Sequence, residues 1–427
     1  MIKKSFFGLL KPRLEYDIIN AKTPAPREIK ASKTVQLLSC AVFDRKDLIL
    51  PQVGDEVKAG QKIVVVRGKD DYVITPVSGT ITAVTPYVGN FGVQMTSLTI
   101  QKNGNKETDF QFTEAAESPT LQSTIDYLAQ LPGILPVSLF SSADPKIKTL
   151  VINGMDTDLL VQTKQQVVKT SVSLIKRGIE ILKEITDIEQ YIMTVPEALH
   201  QEAAASGAAV KLVMPTYPSA SPYLVANDIL GKELPAGDKF ENHGIAFVSA
   251  EAIAALGSAY ENKTIPTQKI LTVIDKVGTK KLVSAQIGTP LKDIFSALTI
   301  RPEDGDRIII GGPMTGQAVY TEDHPVGLET DAIILQDRSE IPYVSNNACI
   351  NCGECVRICP AKVQVNMLVR FLEVGQYDDA ADNYDLFSCI ECGLCSYVCT
   401  AKIPIFQYIR LAKYELARIQ SAEAENV

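Results

Sequence analysis

"CINCGECVRICP" at residues 349–360 is followed at 389–400 by "CIECGLCSYVCT". Each run spaces its cysteines CxxCxxCxxxC, and the two together hold eight of the nine cysteines in the chain. The first 348 residues contain only Cys40, which follows "VQLLS" and reads as a small buried hydrophobe. Disulfide frameworks disperse their cysteines, whereas clustering at ligand spacing points to metal binding in a reducing compartment.

A four-iron cluster takes three thiolates from a CxxCxxC loop and a fourth from elsewhere, and in two-cluster ferredoxins the fourth cysteine of each run ligates the other cluster. The two runs are similar to that arrangement. The similarity implies Cys349, Cys352, Cys355 and Cys399 at one 4Fe-4S cluster, and Cys389, Cys392, Cys395 and Cys359 at a second. Gly353 and Gly393 fall between the second and third ligands, where the loop turns tightly. Tetrathiolate zinc sites also use CxxC pairs, but they do not need three cysteines at two successive three-residue steps plus a fourth, twice over. Pro360 follows the first run as in ferredoxins, while Thr400 stands in that place after the second. Proline is no ligand, so both clusters are expected to be intact. Two adjacent clusters serve to carry single electrons through protein. The three histidines, His200, His243 and His324, lie in unrelated segments and read as surface or structural, and no GxSxG, HExxH or Walker loop occurs.

Outward from the cysteines, the chain is a multidomain α/β protein, as its 427 residues lead one to expect. An N-terminal tail covers 1–35. From 36 to 106, short β segments with Gly and Pro turns form an all-β module, and "VGDEVKAGQ" and "PVSGTITAV" resemble the halves of a biotinyl or lipoyl carrier, a barrel-sandwich. Lys69, in "VRGKDDYV", lacks the neighbours of a modified swinging-arm lysine, so only the fold resemblance is kept. Residues 107–124 are polar and turn-rich and read as a linker or strap. Strand, helix and strand then alternate over 125–266, with an amphipathic helix over Val167 to Ile185, which predicts a Rossmann-like parallel sheet. A hairpin, a short helix and "GGPMTG" over 267–340 resemble a β-grasp module of the SLBB type. Residues 341–420 carry the cysteine runs in a helical ferredoxin-like domain, whose closing helix places Ile405, Ile409, Ala412 and Leu416 on one face.

The formal charge of −8 provides no basic field for nucleic acid. The longest uncharged run, Tyr127 to Ala143, is broken by Pro132, Gly133 and Pro136, so no transmembrane span is expected. The start "MIKKSFFGLLKPR" lacks a secretory signal, so the chain is expected to stay in the cytoplasm, and its Phe6, Phe7, Leu9 and Leu10 suit a membrane surface or their own domain equally.

The order of modules, with "PTYPSASPYLVANDILGKELPAG", "IGTPLKDI", "GGPMTGQAV" and "CIECGLCSYVC…IPIFQYIRLAK", resembles the C subunit of the Rnf electron-transport complex over nearly the whole chain. That resemblance implies an iron–sulfur subunit of an oxidoreductase that is peripheral on the cytoplasmic side of the membrane. Its partners would be other Rnf-like membrane subunits and a ferredoxin-type or cytochrome redox protein. It also implies FMN and NADH on the Rossmann-like domain, through a glycine-rich loop, an "NGAECEP" turn and a "PSGGEKQ" segment. Here those places read "LPGILPVSLFSSADP" (131–145), "NGMDTDL" (153–159) and "PSASPYL" (218–224), leaving Asn153 and Gly154 as remnants. Pro136 removes an amide donor where phosphate would need one. The expectation is therefore an electron-transfer subunit without an NADH or FMN site of its own. The alternatives are an NADH-oxidising, FMN-dependent member of that family or a soluble relative of the corrinoid-reducing type.

Overall fold

The computed structural model describes residues 12–41, 48–68, 71–104, 107–142 and 145–425. Lys69 and the apolar and basic tail residues through Lys11 lie outside that set. The chain forms two compact units that do not follow sequence order: a large one of Asp17–Pro215 and Phe240–Arg338, and a small one of Met1–Tyr16, Thr216–Lys239 and Ser339–Val427.

The large unit contains a four-stranded parallel sheet of Ala209–Leu212, Gln190–Val195, Thr149–Asn153 and Ile245–Ser249, in that spatial order. "LVIN" at 150–153 is buried on both faces, as the central strand of a covered parallel sheet must be. Against it pack the helices Thr163–Ile185 and Ala250–Asn262, the first burying Val168, Ile175, Ile179 and Leu182 of the expected apolar face, while Val172, also expected there, is only half-buried. The two helices approach closely at glycines: a Cβ on Gly257 would overlap the carbonyl oxygen of Leu174, and one on Gly178 the carbonyl oxygen of Ile253.

An antiparallel sheet in the same unit orders Thr34–Ser39, Gln94–Lys102, Gly79–Val88 and Glu56–Val57, with a bulge at Ile81 to Ala83. Beside it lies a hairpin of Lys62–Val64 and Tyr72–Ile74. A six-stranded mixed sheet contains the expected hairpin, Gln268–Ile274 with Lys280–Gln286, followed by the helix Leu291–Leu298, which buries Leu291, Ile294, Phe295 and Leu298.

Two expectations are corrected. Cys40 is exposed, because strand alternation turns Ser39 inward instead, where its hydroxyl donates to Asp71 at 2.5 Å. The stretch read as a polar linker is partly helical, over Gln111–Ala115 and Leu121–Leu128. Its polarity there is that of an N-terminal cap: Thr120 accepts from the Ser123 amide at 3.0 Å, and the Ser123 hydroxyl accepts from the Thr120 amide at 3.2 Å.

The small unit is helical around the cysteine runs. Val365–Leu372 and Tyr377–Tyr384 lie between the runs, and Ile405–Glu425 closes the chain with Ile405, Ile409, Ala412 and Leu416 all buried. The two runs repeat in backbone as well as in sequence. Asn351 and Glu391 both have φ 54°, and Gly353 and Gly393 have φ 76° and 73°. Each glycine leads into a one-turn helix, Glu354–Ile358 or Leu394–Val398. Left-handed backbone between the second and third cysteines is what those glycines make cheap. Among the described residues, no helix is long and apolar enough to cross a membrane.

Candidate metal centre

Cys355 and Cys395 sit at matching places in the two one-turn helices and are both buried, while Cys352 is exposed and Cys349, Cys359, Cys389, Cys392 and Cys399 are half-buried. Burial pushes the Cys355 thiol up to about 11, and its neighbours Cys349 and Cys352 add to the shift. Burial likewise pushes Cys392 up to about 12, with Cys389 and Cys359 beside it contributing. Cys389 is raised by burial and by Cys359, against the pull of Lys413. Cys395 is raised well above the ordinary thiol by burial first, then by Cys389, Cys392 and, across the repeat, Cys355. Charge on Cys359, at the end of the first run, is thus felt at Cys389 and Cys392 in the second, just as charge on Cys355 is felt at Cys395. At the other end, the Thr400 hydroxyl lies 3.9 Å from Cys352 Sγ, which brings the end of the second run beside the first.

This donor set suits iron–sulfur ligation. Backbone amides already point at sulfur, from Glu391 to Cys389 Sγ and from Ile403 to Cys399 Sγ, each at 3.4 Å. Such donors stabilise thiolates that carry the charge of a cluster. Among the described residues, no three His, Cys, Asp or Glu side chains converge on a single ion position. A cubane does not ask for convergence, since each thiolate binds its own iron.

Several neighbours of the cysteines have no signal in the sequence. Lys413 Nζ donates to the Cys389 carbonyl at 2.7 Å and to Glu391 Oε1 at 2.9 Å, and Arg410 stands 3.9 Å from the same carboxylate. The buried Tyr217 donates its hydroxyl to the Cys392 carbonyl at 2.6 Å. Tyr217 precedes the 218–224 segment, which thus belongs to the small unit with the cysteines.

The other two altered segments lie in the large unit. In 131–145, Leu131, Leu135 and Val137 are buried in the core. Gly133, at φ 80°, donates its N–H to the Leu328 carbonyl at 2.8 Å and accepts from the Ser249 hydroxyl at 3.2 Å. Ser249 caps the Ala250–Asn262 helix by accepting from the Ala252 amide at 3.0 Å, and a Cβ on Gly133 would meet that same amide at 3.0 Å. The loop therefore closes directly on the helix N-terminus. In 153–159, Asn153 is buried, and Gly154 permits close packing of the strand end against Val168 and Val195. Asp156 accepts from the Lys164 amide at 2.8 Å and from Gln165 Nε2 at 3.1 Å.

The "GGPMTG" turn at 311–316 encloses Asp158, whose carboxylate accepts from the amides of Met314 at 3.2 Å and Thr315 at 2.8 Å and from the Thr315 hydroxyl at 2.7 Å. A Cβ on Gly312 would overlap the Asp158 side chain. The glycines thus make room for an internal carboxylate.

Residues 341–400 match the family model of the 4Fe-4S dicluster domain, which makes the helical C-terminal region one of that class. Over most of its length the chain is similar to the C subunits of ion-translocating oxidoreductase complexes, the family its sequence resembles. It is 27% identical to the C subunit of the ion-translocating oxidoreductase complex of Serratia proteamaculans over 86% of this chain and 55% of that one. It is 26% identical to the C subunit of the proton-translocating ferredoxin:NAD(+) oxidoreductase complex of Clostridium ljungdahlii, over 85% of this chain and 84% of that one. The chain thus spans about half the length of the first relative and most of the second. Among solved structures, an NAD+-reducing NiFe-hydrogenase in the H2-reduced state is similar at a TM-score of 0.46 and 13% identity, covering 74% of this chain and 68% of that one.

Proposed function

We propose that the chain is the electron-transferring iron–sulfur subunit of a membrane-associated oxidoreductase complex. Cys349, Cys352, Cys355 and Cys399 would hold one 4Fe-4S cluster, and Cys389, Cys392, Cys395 and Cys359 the other. The observation that carries this reading is the approach of the Thr400 hydroxyl to Cys352 Sγ at 3.9 Å, which supports two adjacent runs that share their fourth ligands. When bound, such clusters accept and release single electrons. The chain's own part is to keep the eight thiols in two adjacent groups, to direct amides at the sulfurs and to limit water around Cys355 and Cys395. The domain organisation is 36–106 as a barrel-sandwich, 125–266 as a Rossmann-like domain, 267–340 as an SLBB-like module and 341–420 as the dicluster domain. The partners are the complex's membrane subunits on the cytoplasmic side and a ferredoxin-type or cytochrome electron carrier.

The large unit acts as a scaffold without FMN or NADH. Closure of 131–135 onto the Ala250–Asn262 helix N-terminus supports this, because that terminus is where a flavin phosphate would seek amides. The test is anaerobic purification with iron, sulfide and flavin quantified, followed by NADH addition while cluster absorbance is watched. About eight irons per chain, no flavin and no bleaching is the expected result. Stoichiometric FMN with bleaching by NADH would overturn the scaffold assignment, and absence of iron would overturn the electron-transfer role.

A further inference from the structure

The two cysteine loops repeat in backbone but differ in charge. In the first, Asn351 is neutral, accepting from Asn366 Nδ2 at 2.8 Å, and the Glu354 carboxylate pairs with Arg357. In the second, Glu391 takes the place of Asn351 and Leu394 that of Glu354. Two cations, Lys413 and Arg410, stand at the single Glu391 carboxylate. Their side chains are only 19% and 23% exposed, which limits screening by water. Lys413 is also fixed by the Cys389 carbonyl, at the first ligand position of the second run.

We propose that Lys413 is a positioning residue that raises the reduction potential of the cluster held by Cys389, Cys392, Cys395 and Cys359, so that the order of the two potentials depends on it. This rests on the two-cluster assignment above. Reduction adds one negative charge to a cluster, and burial among apolar side chains opposes that addition. A fixed ammonium at the ligand loop counters the opposition. The hydrogen bond to the Cys389 carbonyl holds that ammonium on a residue whose sulfur is itself a ligand. Arg357, the cation inside the first run, pairs with Glu354 of its own one-turn helix, whereas Lys413 reaches the second loop from the closing helix, so the effect should be confined to one cluster.

The experiment is an EPR-monitored redox titration of the full chain loaded anaerobically, with Cys392→Ser, inside the second CxxCxxC loop, used to assign signals. Lys413→Gln should lower the midpoint of the second cluster by about tenfold in the reduction equilibrium, ~59 mV for a one-electron couple, and leave the first in place. Lys413→Arg should retain the wild-type value. Glu391→Gln should raise the second midpoint, because Lys413 keeps its anchor on the Cys389 carbonyl and loses its neutralising partner. Unmoved midpoints in Lys413→Gln, or equal shifts of both clusters, would overturn the proposal. If that variant loads poorly, Glu391→Gln decides: an unchanged or lowered second midpoint overturns it. A wild-type protein with no cluster signal would instead overturn the two-cluster assignment.

Discussion

Thr315 donates both its backbone N–H and its hydroxyl to one carboxylate oxygen of Asp158, at 2.8 and 2.7 Å. Burial nevertheless outweighs these bonds and raises the Asp158 carboxyl above its ordinary range. Asp158→Ala should destabilise the large unit by ~2–4 kcal/mol, since several donors lose a charged acceptor. Gly312→Ala should cost ~1–3 kcal/mol by overpacking against the same side chain. Denaturant unfolding of the double variant should show the second cost reduced but not abolished, because the carboxyl group leaves while the Cβ of residue 158 stays 2.5 Å from the new one. Additive costs would mean that the turn does not depend on Asp158.

Gly257→Ala should cost ~3 kcal/mol or more, since its Cβ would meet the backbone of Leu174 and Gly178, which cannot rotate away. Truncating Leu174 to alanine should give no relief. Recovery of the melting temperature by that second substitution would show the contact to be with a side chain instead.

Lys269 is fully buried and pairs with Glu251 and, at 3.4 Å, with Asp331, which also meets Lys164 at 3.2 Å. Burial works to lower the Lys269 pKa, but the two carboxylates hold it above its ordinary value, so it remains charged. Lys269→Met should destabilise by ~3–5 kcal/mol by stranding Glu251 in the core. Pairing it with Glu251→Leu should restore most of the loss in chemical denaturation. A single variant as stable as wild type would show that the pair does not hold the helix to the strand.

His324 accounts for a pH dependence. Burial lowers its pKa below the ordinary 6.5, and its Nδ1 lies 2.7 Å from the Tyr87 hydroxyl. A histidine kept neutral in the fold binds fewer protons than in the unfolded chain, so stability should fall as pH drops through 6.5 toward the folded pKa. Melting temperatures of His324→Gln measured from pH 7 to about pH 5 should decline less steeply than those of wild type. Parallel curves would remove His324 from the account.

Cys359→Ser tests the interleaving of the runs. The EPR signal of the second cluster should be lost or altered, with that of the first preserved, although Cys359 belongs to the first run in sequence. Loss of the first cluster alone would return Cys359 to its own loop.

The elements that could be read from sequence are those whose cause is local. The strand at 149–153 and the helix over Thr163–Ile185 follow from apolar runs and periodicity, and the closing helix buries the four residues its spacing predicts. Cys40 and the 107–124 stretch were misread because a strand end can turn either face inward, and because capping polarity resembles linker polarity.

At the cysteines the same division holds. The sequence by itself determined two ligand loops, since CxxCxxC and its glycine set the backbone over a few residues, and the repeat in φ follows from the repeat in residues. Only the tertiary structure decided that Lys413 faces the Cys389 carbonyl, that Tyr217 reaches the Cys392 carbonyl and that Asp158 fills the glycine turn. Those partners are separated by 24 to 175 positions along the chain. No local periodicity spans such distances; packing of the elements brings the groups together.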